Sequence, residues 1–524
     1  MSLFDINVGL GRVTSSRGGF DTAEPLLTEM RRLRIDEALV YHELAAEADI
    51  ELGNGLLLEA IRGHEALHAC WVMAPPALGD LPEPAAWVRQ AVEAGVRAVR
   101  LFPRHGLYTL REWCAGPLLA ALERAELPLL LDFGPRHWSE RVTPWEGIRE
   151  ACERHPGLSV VVIGSTVGET RDAVALLRLL PNLSLEYHAF NVPDGLRLLA
   201  EAGLAGQLVF GTGMPARAGE CVTEQTLRSG LGAADLHAVG AGNARRVLNL
   251  TGLAPVARAS LEPVSRASGM VVDAHAHVGC WERTLTTVRA PADIVTSMQR
   301  CGVQKMVVSS FAAIHGETRA GNQQTADAIR EFPEHLYGYA VVNPHYPEET
   351  EDELRRCFDR LNHFVGLKLH CGLHGVPLQH AGYERALAFA NERELPVLVH
   401  GHGTDDWDST ARRYAGASFI MAHGCAWDGV DPSGAELYKP VGDVANLYVD
   451  VAGSAAHRGA LRALVDLVGA RKVLFGSDFP MFDLAFELGR VVLSDLKAAE
   501  RVAVCGGNAL RLFSTIRDLS KALC

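Results

Sequence analysis

Two stretches decide the fold when laid side by side: Glu126–Asp132, ELPLLLD, and Glu394–His400, ELPVLVH. They stand 268 residues apart. The same offset lays Val96–Phe102 (VRAVRLF) over Phe364–His370 (FVGLKLH) and Arg34–Tyr41 over Gly302–Ser309. At an offset of 265, Leu208–Pro215 (LVFGTGMP) lies over Val473–Pro480 (VLFGSDFP), and Gly242–Leu248 (GNARRVL) over Gly507–Phe513 (GNALRLF). A register kept across half a chain, drifting only as loop indels would make it drift, is the mark of a duplication. A length of 524 residues that could hold three or four average domains then reads as two larger ones.

Each copy alternates short apolar runs with longer amphipathic ones. In the second copy strands are predicted near Val271–Ala274, Lys305–Ser309, Leu336–Val342, Gly366–His370, Pro396–His400, Phe419–Ala422, Leu447–Val451 and Val473–Gly476. Helices such as Pro291–Cys301, Asn322–Glu331, Pro347–Leu361, Tyr383–Arg393 and Ala460–Val468 separate them. Eight such repeats in roughly 250 residues fit a (β/α)₈ barrel. An open doubly wound sheet would need a glycine-rich turn after its first strand, and none is present. The fold expected is α/β, two tandem TIM-like barrels: residues 1–253, a Pro/Ala/Ser-rich linker at 254–269, and residues 270–524.

Composition sets the outer limits. A hydrophobic share of 48% and a charged share of 22% allow an ordinary core and exclude a disordered chain. A net charge of −13 without a basic cluster speaks against nucleic acid or an anionic membrane as partner. No apolar run reaches the roughly 20 residues of a membrane helix. The eleven cysteines form no CxxC pair and suit free thiols in a reducing, cytoplasmic setting, and no signal peptide is visible.

In a barrel the chemistry belongs at the C-terminal ends of the strands. In the second copy these ends carry His275 and His277 (DAHAHVG, Asp273–Gly279), His400, His423 and Asp478. Residues two apart in a strand share a side, so His275 and His277 can face one ion. Several imidazoles and a carboxylate suit Zn²⁺, Mn²⁺ or Fe²⁺. Such an ion keeps positive charge and draws the pKa of a water toward neutrality, and Asp478 can take the released proton.

The motifs DAHAHVG, LPVLVHGHG (Leu395–Gly403), FIMAHG (Phe419–Gly424), VLFGSDFP and GNALRLF resemble those of the amidohydrolase superfamily, and more closely its amidohydrolase-2 branch of hydrolases and metal-dependent decarboxylases. The resemblance implies His275, His277, His400 and Asp478 as ligands of one divalent ion, zinc first and manganese or iron as alternatives, without a second metal. It implies Asp478 and His423 as catalytic, with His423 orienting water. Carboxylated lysines bridge two ions in binuclear members; Lys368 is either such a group, a buried lysine paired with a carboxylate, or a substrate contact. His370, Trp281, Arg283, His402 and Trp427 are candidates to line a pocket for a small-molecule substrate. The expected reaction is hydrolysis of an amide, lactam, lactone or related bond. Non-oxidative decarboxylation is the alternative, disfavoured because aromatic decarboxylases of the branch often place a glutamate where His275 stands. A non-catalytic metal-binding scaffold is the third reading. Members dimerise, so the fused copies would form an intrachain pseudo-dimer, with a homo-oligomer left open.

In the first copy Asn7 and Gly9 stand where the second has His275 and His277. Asp132 replaces His400, Gly164 replaces His423, Gly213 replaces Asp478, Arg100 replaces Lys368 and Phe102 replaces His370. His42, His105, His137 and His188 are present without ligand spacing. This copy is expected to be a metal-free pseudo-barrel. It contains no lysine, the first in the chain being Lys305.

Overall fold

The computed structural model describes residues 2–14, 18–134, 140–252, 269–361, 363–424, 437–453 and 457–516. Trp427, His137 and the linker residues 254–268 lie outside the described residues. The chain divides into two compact units, residues 1–191 with 195–264, and residues 192–194 with 265–524. The short piece Val192–Asp194 groups with the second unit although it lies within the first copy of the sequence.

In the first unit eight parallel strands follow one another around a sheet: β1 (Phe4–Leu10), β2 (Glu37–His42), β3 (Leu67–Val72), β4 (Ala98–Leu101), β5 (Leu129–Asp132), β6 (Val160–Ile163), β7 (Leu183–Glu186) and β8 (Leu208–Val209). The second unit repeats the order with β9 (Val272–Val278), β10 (Lys305–Ser310), β11 (Leu336–Val341), β12 (Phe364–His370), β13 (Pro396–His400), β14 (Ser418–Met421), β15 (Leu447–Asp450) and β16 (Val473–Leu474). Hydrogen bonds from the first strand to the segment after the eighth close each ring: Ile6 N–H donates to Phe210 O at 3.0 Å, and Ala274 N–H to Phe475 O at 2.9 Å. Both units are thus (β/α)₈ barrels.

The predicted helices Pro291–Cys301 and Ala460–Val468 form over those residues. Pro291 sits at the helix start, where its missing N–H costs nothing, and Gly302 closes the end at φ 74°. β16 is shorter than its apolar run because the chain leaves the ladder at Phe475 to build the turn that carries Asp478.

Apolar side chains fill the base of the second barrel, among them Val272, Val307, Tyr339, Leu398, Ile420 and Leu474. Tyr339 Oη donates to Ala274 O at 2.7 Å, so its hydroxyl is satisfied in the core. A larger shell of Val, Leu, Ile, Phe and Met packs strands against helices. The GNAR and GNAL motifs prove structural. Asn243 donates to Ala205 O and Leu208 O, and Asn508 to Ala470 O and Val473 O, each tying the last helix to the entry of the eighth strand.

Candidate metal centre

β9 delivers His275 and His277 to the mouth, and the turn after β16 delivers Asp478. His277 Nε2 lies 2.8 Å from Asp478 Oδ1, and His275 Nε2 lies 3.5 Å from the same oxygen. The donor atoms of this triplet all lie within 4.8 Å of one another, with every residue buried. Carboxylate and imidazoles that close converge on one point, as a divalent ion requires.

The imidazole tautomers follow from fixed partners. His275 Nδ1 donates to Asp450 Oδ2 at 2.9 Å, which leaves a lone pair on Nε2, and Lys368 Nζ donates to it at 2.8 Å. Asp450 is itself pinned, since Oδ1 accepts the backbone N–H groups of His423 and Ala452. His277 Nδ1 lies 3.0 Å from Ser309 Oγ, a hydroxyl able to donate or accept. His423 Nδ1 donates to the carbonyl of Ala452 at 3.2 Å, so its Nε2 accepts from His400 Nδ1 at 2.9 Å. His400 then keeps its own Nε2 lone pair. Carboxylates and carbonyls that orient ligating histidines in this way are what metal sites carry around their ligands.

His275, His423 and Asp450 form a second close triplet. Its carboxylate is already engaged by two backbone N–H groups and by His275 Nδ1, so it orients the first triplet and is not a separate ion site.

Protonation states match ligation. Burial, then the Lys368 ammonium, pushes the His275 imidazole down to about 4. Burial also lowers His277 and holds His400 well below the usual imidazole range. Burial alone would raise Asp478, but the neighbouring imidazoles outweigh it and hold the carboxyl well below the usual range. Asp450 is held near about 2 against the same burial by His275. Neutral imidazoles beside ionised carboxylates are the forms that bind a cation. Burial lowers Lys368 to about 8 in spite of Asp478 and Asp450.

Two of these residues sit in strained backbone. His423 has φ 67° and Asp478 φ 60°, the left-handed region that L-residues avoid at roughly 1–2 kcal/mol each. Their counterparts in the first unit, at φ 68° and φ 69°, are Gly164 and Gly213. The same turn is built twice, with a side chain only where one projects into the mouth.

Among the sequence candidates, His275, His277 and Asp478 meet directly. His400 joins through His423 and belongs to neither triplet. His423, read from sequence as orienting water, is engaged at both ring nitrogens. Lys368 contacts His275, and His370 stacks on His400 with ring centroids 4.0 Å apart. Trp281 is half-buried, 5.3 Å from the His315 ring and 6.1 Å from Phe311, which in turn stacks on His277 at 4.4 Å. Arg283 is exposed. His402 bonds within its own loop to Thr404 Oγ1, and its N–H donates to Asp405, so it is not brought to the triplet. Sequence reasoning missed Asp450 and Ser309. The signal was available for Asp450, a carboxylate closing an apolar barrel strand.

The first unit fills the equivalent mouth with its own side chains. Asp5 accepts from Thr212 as Asp273 accepts from Ser477, and Glu186 accepts the N–H of Gly164 as Asp450 accepts that of His423. The ligand places are taken by other groups. Glu43 occupies the space a side chain at position 9 would need, and the His188 ring lies 2.7 Å from where a Cβ of residue 164 would stand. Arg100 pairs with Asp132, buried at 3% and 13% side-chain exposure. Its guanidinium also covers Tyr41, 4.2 Å from the ring centroid. Among the described residues this unit holds no metal-competent group of three.

The family model for amidohydrolases matches residues 34–250 and 272–515. The chain belongs to the amidohydrolase family. The match to both units places the duplication inside that family. No curated protein matches the chain. Among solved structures, 5-carboxyvanillate decarboxylase from Sphingomonas paucimobilis is similar at 13% identity and a TM-score of 0.36, covering 47% of this chain and 99% of its own. 4-Oxalomesaconate hydratase from Rhodopseudomonas palustris stands at 17% and 0.38, covering 48% and 98%. Dihydroxybenzoic acid decarboxylase from Polaromonas, solved with manganese, stands at 15% and 0.37, covering 47% and 97%.

Proposed function

We propose that the second unit is a metal-dependent hydrolase of a small molecule carrying an amide, lactam, lactone or related bond, and that the first unit holds no ion. The convergence of His275 Nε2, His277 Nε2 and Asp478 Oδ1, with the rings oriented by Asp450 and Ser309, carries this reading. His275, His277, His400 and Asp478 would hold one divalent ion, and the nitrogen-rich donor set favours zinc. When bound, the ion supplies a Lewis acid that makes water nucleophilic near neutral pH.

The chain's own groups supply the rest. Asp478, ionised and held beside His277, accepts a proton and passes it to the departing nitrogen or oxygen. Lys368 keeps an ammonium close to Asp478 and favours its charged form. Asp450 holds His275 in the Nδ1–H tautomer, and Ala452 O with His423 does the same for His400. Phe311, stacked on His277, shields one side of the centre from water.

The test is elemental analysis of the purified full chain, followed by a panel of lactones, amides and aryl carboxylates assayed for ring opening, amine release and CO₂. One zinc per chain with hydrolysis supports the reading. CO₂ release would replace it with decarboxylation. Two equivalents of metal would overturn the single-ion site, and retained metal in the His275→Ala, Asp478→Asn double variant would overturn the ligand assignment.

A further inference from the structure

His370 ends β12 directly beside His400 at the end of β13, the two residues being register partners in the parallel ladder. The rings lie nearly parallel, 15° apart with centroids separated by 4.0 Å. His370 does not float in this place. Its Nδ1 accepts the N–H of Leu373 at 3.1 Å, capping the short helix Cys371–His374 and fixing the ring plane. That bond also puts the ring proton on Nε2. On its other side His400 meets His423 edge-on, at 4.7 Å and 68°. His400 is therefore held by a flat face on one side and by a hydrogen bond to Nδ1 on the other, with Nε2 left as its free donor atom. A Cβ at Gly372 would meet Gly401 O at 3.2 Å and His400 Cδ2 and Nε2 at 3.4 and 3.8 Å, so the small residue leaves room beside that edge of the ring.

We infer that His370 is a positioning residue, a flat platform that sets the plane of the His400 imidazole so that its Nε2 lone pair points into the metal centre. This deepens the metal reading of His400 given above and rests on it. The part that matters is the ring face, because the one ring nitrogen that bonds, Nδ1, is spent on the helix cap.

The experiment measures Co²⁺ affinity of the full chain by competition with a chromophoric chelator, together with the visible absorption of the Co²⁺ complex. Three variants separate plane from nitrogen. His370→Asn keeps a cap acceptor and loses the aromatic face. His370→Phe keeps the face and loses the acceptor. His370→Ala loses both. Asn and Ala are expected to weaken affinity about 10–100-fold and to alter the visible band, with Phe staying within about threefold of wild type. Circular dichroism checks that each variant folds, and the Asn variant preserves the cap if the Ala variant does not. Wild-type affinity in the Asn and Ala variants overturns the inference, as does a Phe variant as weak as Ala. If the unaltered chain takes up no more Co²⁺ than the His275→Ala control, the metal reading itself fails and takes this inference with it.

Discussion

Removing the Arg100 guanidinium should show how far one buried ion pair holds up the mouth of the first unit. Arg100 and Asp132 form an ion pair that is almost fully buried, and the guanidinium also lies over Tyr41 and 5.1 Å from the centroid of Phe102. Arg100→Met leaves Asp132 without its cation. Breaking a buried pair in this way costs about 3–5 kcal/mol, and a desolvated cation–π contact adds about 2 kcal/mol. In a unit of this size each kcal/mol moves the midpoint by about 2–4 °C, so the first unit's thermal transition should fall by roughly 10 °C or more. The Arg100→Met, Asp132→Leu pair should recover most of the loss, since an apolar replacement of both partners removes the uncompensated charge. The assay is calorimetry of the full chain with and without a chelator, because two units need not melt together. The lower-temperature shift should be the same in both buffers. A loss below about 1 kcal/mol in the single variant, or no recovery in the double variant, would refute the idea that this pair is what stabilises the mouth.

Asp5 gives a pH signature. Burial raises its carboxyl to about 7, so the folded unit holds this proton more tightly than the unfolded chain. The stability it confers is complete below about pH 4 and is lost as pH rises to about 7, by roughly 4 kcal/mol at most; Asp5→Asn should flatten that part of a denaturation-against-pH curve. Gly164→Ala should destabilise the first unit by at least about 1–2 kcal/mol, from φ 68° alone, and the His188 ring adds to this; urea unfolding checks it. Asp450→Asn should weaken metal binding about 10–100-fold, read by chelator competition, while leaving secondary structure unchanged. Chelation of the metal should lower the melting transition of the second unit by an amount that grows with added zinc in the reference sample, and leave the first unit's transition in place.

Much of the fold was legible because duplication doubles the signal. Strand positions in β10, β11 and β13 follow directly from apolar runs bounded by turn residues, and Pro291 and Gly302 punctuate a helix as propensity says they should. The boundaries that moved did so where hydrogen bonding and not hydrophobicity decides. β16 stops early because Phe475–Asp478 bonds to β9 through a turn. Site residues at strand ends were legible for the same reason. What sequence could not supply is contact between side chains from different strands: the bond from His275 Nδ1 to Asp450, or Glu43 and His188, remote in sequence from Gly9 and Gly164, in the spaces those glycines leave.

The paired left-handed turns make the two units unequal in how they can change. At positions 423 and 478 a single step to glycine relaxes the main chain and removes a side chain of the proposed centre, so the chemistry can be lost with little resistance from the fold. The reverse step at 164 or 213 meets a left-handed backbone and the His188 ring already in place, and no one substitution clears both. Designing a working centre into the first unit therefore means evicting its present occupants before any ligand is added, and grafting order becomes part of the design.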